Sequence, residues 1–459
     1  QIDFREEDLE TFKNSCVNAR KNISDKLFDI LPANQIPSTT VVGQTHIDVA
    51  WLWPINITHN KIARTFSNML RFMEKYPDFI FFQNQSVVYK YCKEYFPLLF
   101  EKVTSMIKAG RWEANGGMWV EPDCNLPNGE SLVRQVLYGE RFFKKEFGQR
   151  SNLLCLMDVF GFPGSLPQII KDAGINNVLT TKMSFNQYNR MPYDTFLWEG
   201  IDGSEVMTYF LTTPVPGPSL SNNLFTCNAV LEPESVKKAW ENYQQKDINQ
   251  NNLVTYGFGD GGGGPTSEML EIYERMKKLN LESHVKTGTL REYFDQLNNS
   301  EFRQKLPVWR GEMFPEFHRG TFTTKGNLKR ANRKSEILLH NIELFSVMSK
   351  LIANVSYPQD KINLLWESLL TNQMHDILPG SIIKEAEVDS LSDFDELFRI
   401  GEQLLQKSLI SISNNVKTNA NSLVVFNALS WDRTEIMEVN INSMESDDKK
   451  VLQITDQIG

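Results

Sequence analysis

From residue 38 to about 300, short β-branched or apolar runs alternate with amphipathic stretches, and this alternation limits the fold more than any other feature of the chain. The runs are Ser38–Gln44, Phe79–Phe82, Arg111–Ala114, Leu153–Met157, Asn177–Thr180, Glu205–Leu211 and Leu253–Phe258. Between them lie stretches of helical period: Ile62–Tyr76, Tyr89–Ala109, Ser131–Phe147 and Leu166–Ala173. A strand that is apolar on both faces needs helices above and below it. The alternation therefore predicts an α/β domain over 36–306, a mostly parallel (β/α)7-like sheet system. Boundary chemistry agrees at Leu166–Ala173, with Ser165 placed to cap it, Pro167 in its first turn and Gly174 just past its end.

After Pro307 the strand signals fade. Residues 325–352, 361–374 and 391–415 read as long helices, the last with Leu391, Phe394, Leu397, Ile400, Leu404 and Leu405 in one stripe, so 307–418 is expected to be a three-helix bundle. From Asn421, Leu423–Phe426, Trp431 and the alternating Glu435–Ile441 read as the start of a C-terminal β-sandwich region over 419–459. Residues 1–35 form an N-terminal helical segment, with Leu9, Phe12, Cys16, Ile23 and Leu27 at helical spacing.

Charge and composition exclude some partners. There are 57 acidic and 48 basic residues, and nucleic acid or an anionic membrane would need clustered cations. The densest cationic group, Lys325, Lys329, Arg330, Arg333 and Lys334, reads as a solvated helix face. Five cysteines without a CxxC pair indicate neither a disulfide framework nor a Cys metal site, which suits a reducing compartment. No apolar run reaches the roughly 18 residues of a membrane span, and no signal peptide is recognisable, so a cytoplasmic location is expected.

The chemistry sits at strand ends. Val41–Gln44 runs into His46 and Asp48, Leu153–Met157 into Asp158, and Val254–Phe258 into Asp260 and four glycines. In parallel sheets the ligand crevice lies at the carboxyl ends of the strands. His46 and Asp48, two apart in an extended segment, point to one side and could grip an ion together, or form a plain hydrogen-bonded pair. Asp158 could equally cap the following turn, and His375, at the end of a bundle helix, could be structural. Trp51 adds aromatic surface suited to a sugar face or to a core. Gly261–Gly264 lacks the Lys and Ser/Thr of a phosphate loop, so a tight bend or a close approach of backbone is expected there.

Taken together, HIDVAWLWP, NGGMWVEPDCNLPNGESLVRQ (115–135), LMDVFGFPGSLPQI (156–169), GFGDGGGGPT (257–266), EFHRGTFTTKGNLKRANRKSE (316–336) and NQMHDILPGS (372–381), in this order, resemble the glycoside hydrolase family 38 α-mannosidases. The glycine-rich segment is similar to the cytosolic and bacterial branch. The resemblance implies a metal held by His46, Asp48, Asp158 and His375. That donor set suits Zn2+, with Co2+ or Mn2+ as alternatives. It implies Asp158 as catalytic nucleophile and Asp260 as general acid/base. The better-known branch carries the acid in a Gly-Asp-Asp segment, whereas this chain has Gly-Asp-Gly, which keeps one carboxylate. Trp51, Asp376, Lys182 and His318 would contact substrate, and Glu121, Asp123 and Glu316 would line the cleft. The expected partner is an α-mannoside oligosaccharide, and the precedent adds a homodimer. The rivals are a metal-dependent deacetylase using an activated water and a carbohydrate-binding protein without activity.

Overall fold

The computed structural model describes residues 2, 4–28, 37–217, 224–278, 283–418 and 423–436. Helix α1 (Leu9–Phe28) precedes β1 (Ser38–Gln44), α2 (Ile55–Lys75), β2 (Phe81–Gln83), α3 (Ser86–Tyr95), α4 (Pro97–Lys108) and β3 (Trp112–Ala114). Then come α5 (Gly129–Phe147), β4 (Leu153–Cys155), α6 (Leu166–Asp172), β5 (Asn177–Thr180), β6 (Thr195–Glu199) and β7 (Glu205–Phe210). They are followed by α7 (Pro233–Asn242), β8 (Asn251–Tyr256), α8 (Ser267–Met276), β9 (His284–Thr287), α9 (Leu290–Leu297), α10 (Ser300–Arg303) and β10 (Val308–Arg310). Three long helices end the series: α11 (Gly326–Ala353), α12 (Gln359–Asn372) and α13 (Lys384–Ser413).

The fold is mixed α/β with parallel sheets. The strands form two five-stranded sheets, β3-β2-β1-β8 with β9 also on β1, and β10-β6-β7-β5-β4. Strand β1 gives one edge to β8 along Ser38–Gly43 and shares the other between β9 and β2. Among the pairs of strands in the described residues only β6–β7 is antiparallel. That hairpin turns at Asp202-Gly203, with Gly203 at φ +85°. Asp-Gly between two apolar runs is a strong hairpin signal, and the sequence reading of a mostly parallel sheet system passed over it, with no strand at Thr195–Glu199.

Both sheets contribute to one interior: Val42, Phe82, Leu153, Leu179, Tyr209 and Leu253 share a buried cluster. A second cluster runs from Val41, Phe66 and Trp112 into Leu339, Trp366 and Leu369. The late helices therefore share a core with the first sheet, and each fully buried side chain of this size contributes about 1.5–3 kcal/mol. Helices α11 and α13 make the most extensive helix–helix contact among the described residues.

Local chemistry sets the boundaries. Asn128 caps α5 by accepting from Ser131 N at 2.8 Å, and Gly148 ends it at φ +73°. The single helix expected over Tyr89–Ala109 is two, because Pro97 cannot donate to the preceding turn and begins α4 instead. Ser165 precedes α6 without a capping hydrogen bond from its side chain, while Gly174 stops the segment at φ +86°.

The β-structure expected from Asn421 does not form in 423–436, where no strand occurs and Val425, Trp431 and Ile436 are exposed. Alternating hydrophobicity makes a strand only when a neighbour supplies the ladder, and here only Phe426 finds a partner ring, Phe345 at 5.5 Å. The rest of that segment lies outside the described residues. No helix among the described residues is long and apolar enough to cross a membrane.

Candidate active site

The segment after β1 stays extended. Ile47 pairs with Gly261 in an isolated antiparallel bridge, and Asp48 N donates to Asp260 O at 2.9 Å. This carries the side chains of His46 and Asp48 to one side, both buried, with His46 Nε2 2.8 Å from Asp48 Oδ1.

Glu121, in the loop after β3, organises the centre. Its Oε1 lies 3.1 Å from His46 Nδ1 and accepts from Asn84 Nδ2 at 2.7 Å, while Oε2 accepts from Met157 N at 2.6 Å and Asp158 N at 3.3 Å. Its main-chain oxygen accepts from His375 N at 3.1 Å and lies 2.8 Å from His375 Nδ1. A carbonyl only accepts, so His375 carries a proton on Nδ1 and turns Nε2 inward. That Nε2 is buried, has no hydrogen-bond partner, and sits 3.3 Å from Asp48 Oδ1, 3.7 Å from Asp376 Oδ2 and 3.8 Å from Asp158 Oδ2.

A buried, unpartnered ring nitrogen facing three carboxylates suits a bound cation. Three overlapping groups, His46–Asp158–His375, His46–Asp48–Asp260 and Asp48–His375–Asp376, each bring their donor atoms within 4.8 Å of one another. The side chains present therefore fit a divalent ion, with the outer nitrogens of both imidazoles tied to Glu121 as metal-bound histidines usually are.

The loop bearing His375 and Asp376 is held by the two lysines expected on a solvated face. Lys329 Nζ donates to Leu378 O at 3.1 Å and Pro379 O at 2.9 Å, and Lys325 Nζ donates to Ile382 O at 2.8 Å. That cationic group is thus partly a clamp on the site loop.

Asp158, after β4, has its Oδ1 2.7 Å from Lys182 Nζ, so Lys182 engages the carboxylate itself. Asp260 stands at φ +21°, in a region that side-chain-bearing residues rarely occupy, and its Oδ1 accepts from Asn228 Nδ2 at 3.0 Å. The glycines around it are required by close approach. A Cβ at Gly257 would lie 2.2 Å from Gln44 O, and one at Gly259 would lie 2.1 Å from Asn228 Oδ1. Asp376 accepts from Ser381 Oγ. Trp51 is half-buried, edge-on to Trp53 at 6.0 Å, and its main-chain oxygen accepts from Ile383 N. His318 stacks on Phe160 at 4.3 Å.

Two of the residues expected to line the cleft also hold loops by hydrogen bonds. Glu316 accepts from Gln187 N, Tyr188 N and Asn189 N, which ties down that loop. Asp123 accepts from Asn125 N and Leu126 N at the turn before α5.

Burial raises the carboxyl of Asp260 above the usual range, and the charges of Asp48 and Asp158 add to this against the opposing His46. Burial also lifts Asp376, to about 7. Burial would lower His46, but the carboxylates of Glu121 and Asp48 outweigh it and hold the ring well above its ordinary value. Burial and the neighbouring Lys182 push His318 down to about 4, so its ring is neutral.

Residues 37–312 match the family described as glycosyl hydrolases family 38 N-terminal domain, which is more than half of the chain. The chain belongs to glycosyl hydrolase family 38. Residues 316–412 match the alpha mannosidase middle domain. Alpha-mannosidase G of Dictyostelium discoideum is 38% identical over 376 residues, 82% of this chain and 33% of that protein. Alpha-mannosidase 2C1 of Homo sapiens is 36% identical over 396 residues, 86% of this chain and 37% of that protein. The crystal structure of an alpha-mannosidase from Enterococcus faecalis V583 is alike in fold, with a TM-score of 0.69 at 20% identity over 82% of this chain and 43% of that chain. This family 38 chain thus spans about a third of the length of the curated relatives it matches.

Proposed function

We propose that this family 38 chain belongs to a retaining α-mannosidase that removes α-linked mannose from oligosaccharides. The observation that carries the reading is that Asp158 groups with His46 and His375 while Asp260 groups with His46 and Asp48, so that both carboxylates flank the one His46. His46, Asp48, Asp158 and His375 would hold one divalent ion, zinc by the nature of the donors, which when bound would supply electrostatic attraction for the cis 2- and 3-hydroxyls of mannose.

The chain's own residues do the rest. The Asp158 carboxylate attacks the anomeric carbon while Asp260 gives its proton to the departing glycosidic oxygen. The bond to that oxygen breaks, and mannose is left esterified to Asp158. Asp260, now a carboxylate, takes a proton from a water that attacks the same carbon and frees Asp158. The raised carboxyl of Asp260 suits it to the first of these steps. Lys182 fixes one oxygen of Asp158. Trp51 covers a face of the sugar, and Asp376 and the neutral ring of His318 receive its hydroxyls. Family membership favours glycoside over amide chemistry, and the five free thiols fit a reducing, cytoplasmic setting.

The test is turnover of an aryl α-mannoside by the full-length protein, before chelation, after it, and after zinc is restored. The reading predicts loss and recovery of activity. Activity indifferent to chelation would remove the metal from it, and no turnover with any divalent ion would move it to a binding protein.

A further inference from the structure

The glycine loop that carries Asp260 borders a cationic and aromatic surface that the proposed chemistry leaves unused. Gly261 faces Lys61 and Trp53, with its Cβ position 3.3 Å from Lys61 Nζ and 3.9 Å from the Trp53 ring. Lys61 Nζ sits over that ring, 3.8 Å from its centroid, and Trp53 is fixed by donating Nε1 to Thr58 Oγ1 at 2.9 Å. One helical turn along α2, Arg64 Nη2 donates to Gly261 O at 2.8 Å.

Neither cation forms an ion pair with a carboxylate among the described residues: the charge of Asp48 reaches Lys61 only from beyond contact distance, and Lys61 has no hydrogen-bond acceptor there either. Two like charges three residues apart on a helix repel, and no acidic residue stands three or four positions from either to compensate them. A half-buried ammonium with three unused donors is matched by an acceptor-rich or anionic group from outside.

Its place says which part of a substrate would bring that group. The general acid stands next to the departing oxygen, so the surface beside Gly261 flanks the leaving group and not the mannose ring. Phe258, half exposed at the other end of the turn, extends the same rim.

We propose that Lys61 and Arg64, with Trp53, form an anion-binding subsite for the leaving group, so that the enzyme prefers α-mannosides whose aglycone carries a carboxylate or a phosphate. The inference rests on the glycosidase reading above and adds the class of aglycone to it.

The test compares kcat/KM of the full-length protein on three probes: α-mannosyl glycolate, its neutral isostere α-mannosyl glycolamide, and 2-(α-mannosyloxy)ethyl phosphate. One charge-assisted contact predicts a preference of about tenfold for an anionic probe over the amide, and the two anionic arms separate carboxylate from phosphate. Lys61→Gln is expected to bring the preference close to one through KM, with glycolamide turnover unchanged, and Lys61→Arg to retain it. A wild-type ratio at or below one, or a preference that survives Lys61→Gln, overturns the subsite while glycolamide turnover leaves the glycosidase reading intact. Failure to cleave the glycolamide and an aryl α-mannoside alike sinks both.

Discussion

His375 Nδ1 lies 2.8 Å from the main-chain oxygen of Glu121, and this contact joins the loop after α12 to the loop after β3. The carboxylate of the same Glu121 meets His46 Nδ1 at 3.1 Å, so one residue sets the ring orientation of both imidazoles. Glu121→Gln keeps the shape and removes the charge. It is expected to weaken zinc binding by about 10–100-fold, as loss of a supporting carboxylate typically does. Competition with a chromogenic chelator measures this, and unchanged affinity would mean that Glu121 only shapes the loop.

Asn228 donates to Asp260 Oδ1 and itself accepts from Gln44 Nε2 at 3.2 Å, so its amide is oriented by β1. Asn228→Ala should lower kcat about tenfold with KM little changed, since it frees the acid without touching the mannose subsite. Gly259→Ala, which drives a methyl group into Asn228, should do the same and also cost stability. A change confined to KM would assign Asn228 to substrate binding.

The metal would bridge residues from the first sheet, from β4 and from the loop after α12, so binding is coupled to folding. Zinc held at a thousand times its Kd adds about 4 kcal/mol of stability. Chelation should therefore lower Tm by several degrees, and His375→Ala should remove the difference between loaded and stripped protein. Differential scanning calorimetry with and without chelator checks both.

Asp260 must be protonated to act as the acid. Because its carboxyl is raised, the protonated form persists above the ordinary carboxylate range and is lost as pH climbs through the raised value. The profile of kcat/KM should thus fall on its alkaline side, and Asp260→Asn should abolish that limb along with most of the activity. An alkaline limb that remains in Asp260→Asn would place the acid elsewhere.

Much of this site was legible because its groups sit where short apolar runs end. His46, Asp48 and Asp158 follow strands, whereas His375 stands at the end of a bundle helix and only the family resemblance implied its role as a ligand. Glu121 was less legible. It stands in a loop seven residues beyond a three-residue strand, and its importance comes from folding back under two histidines that are distant in sequence. Nothing in the sequence marks Asn228, which acts through one amide in an irregular segment. In the fold, the parallel strands were read from their apolar runs, while β9, His284–Thr287, escaped because it alternates polar residues at a sheet edge. The break at Pro97 was readable from proline's missing donor, but the unbroken apolar pattern around it suggested one helix.

The most direct measurement is proton NMR of the first-formed sugar during hydrolysis of an aryl α-mannoside by the zinc-loaded, full-length protein. Double displacement at Asp158 with Asp260 as acid/base predicts α-mannose as the initial product, drifting later to the anomeric equilibrium. β-Mannose appearing first would contradict the account, because it requires a single displacement by water and leaves Asp158 no role as nucleophile.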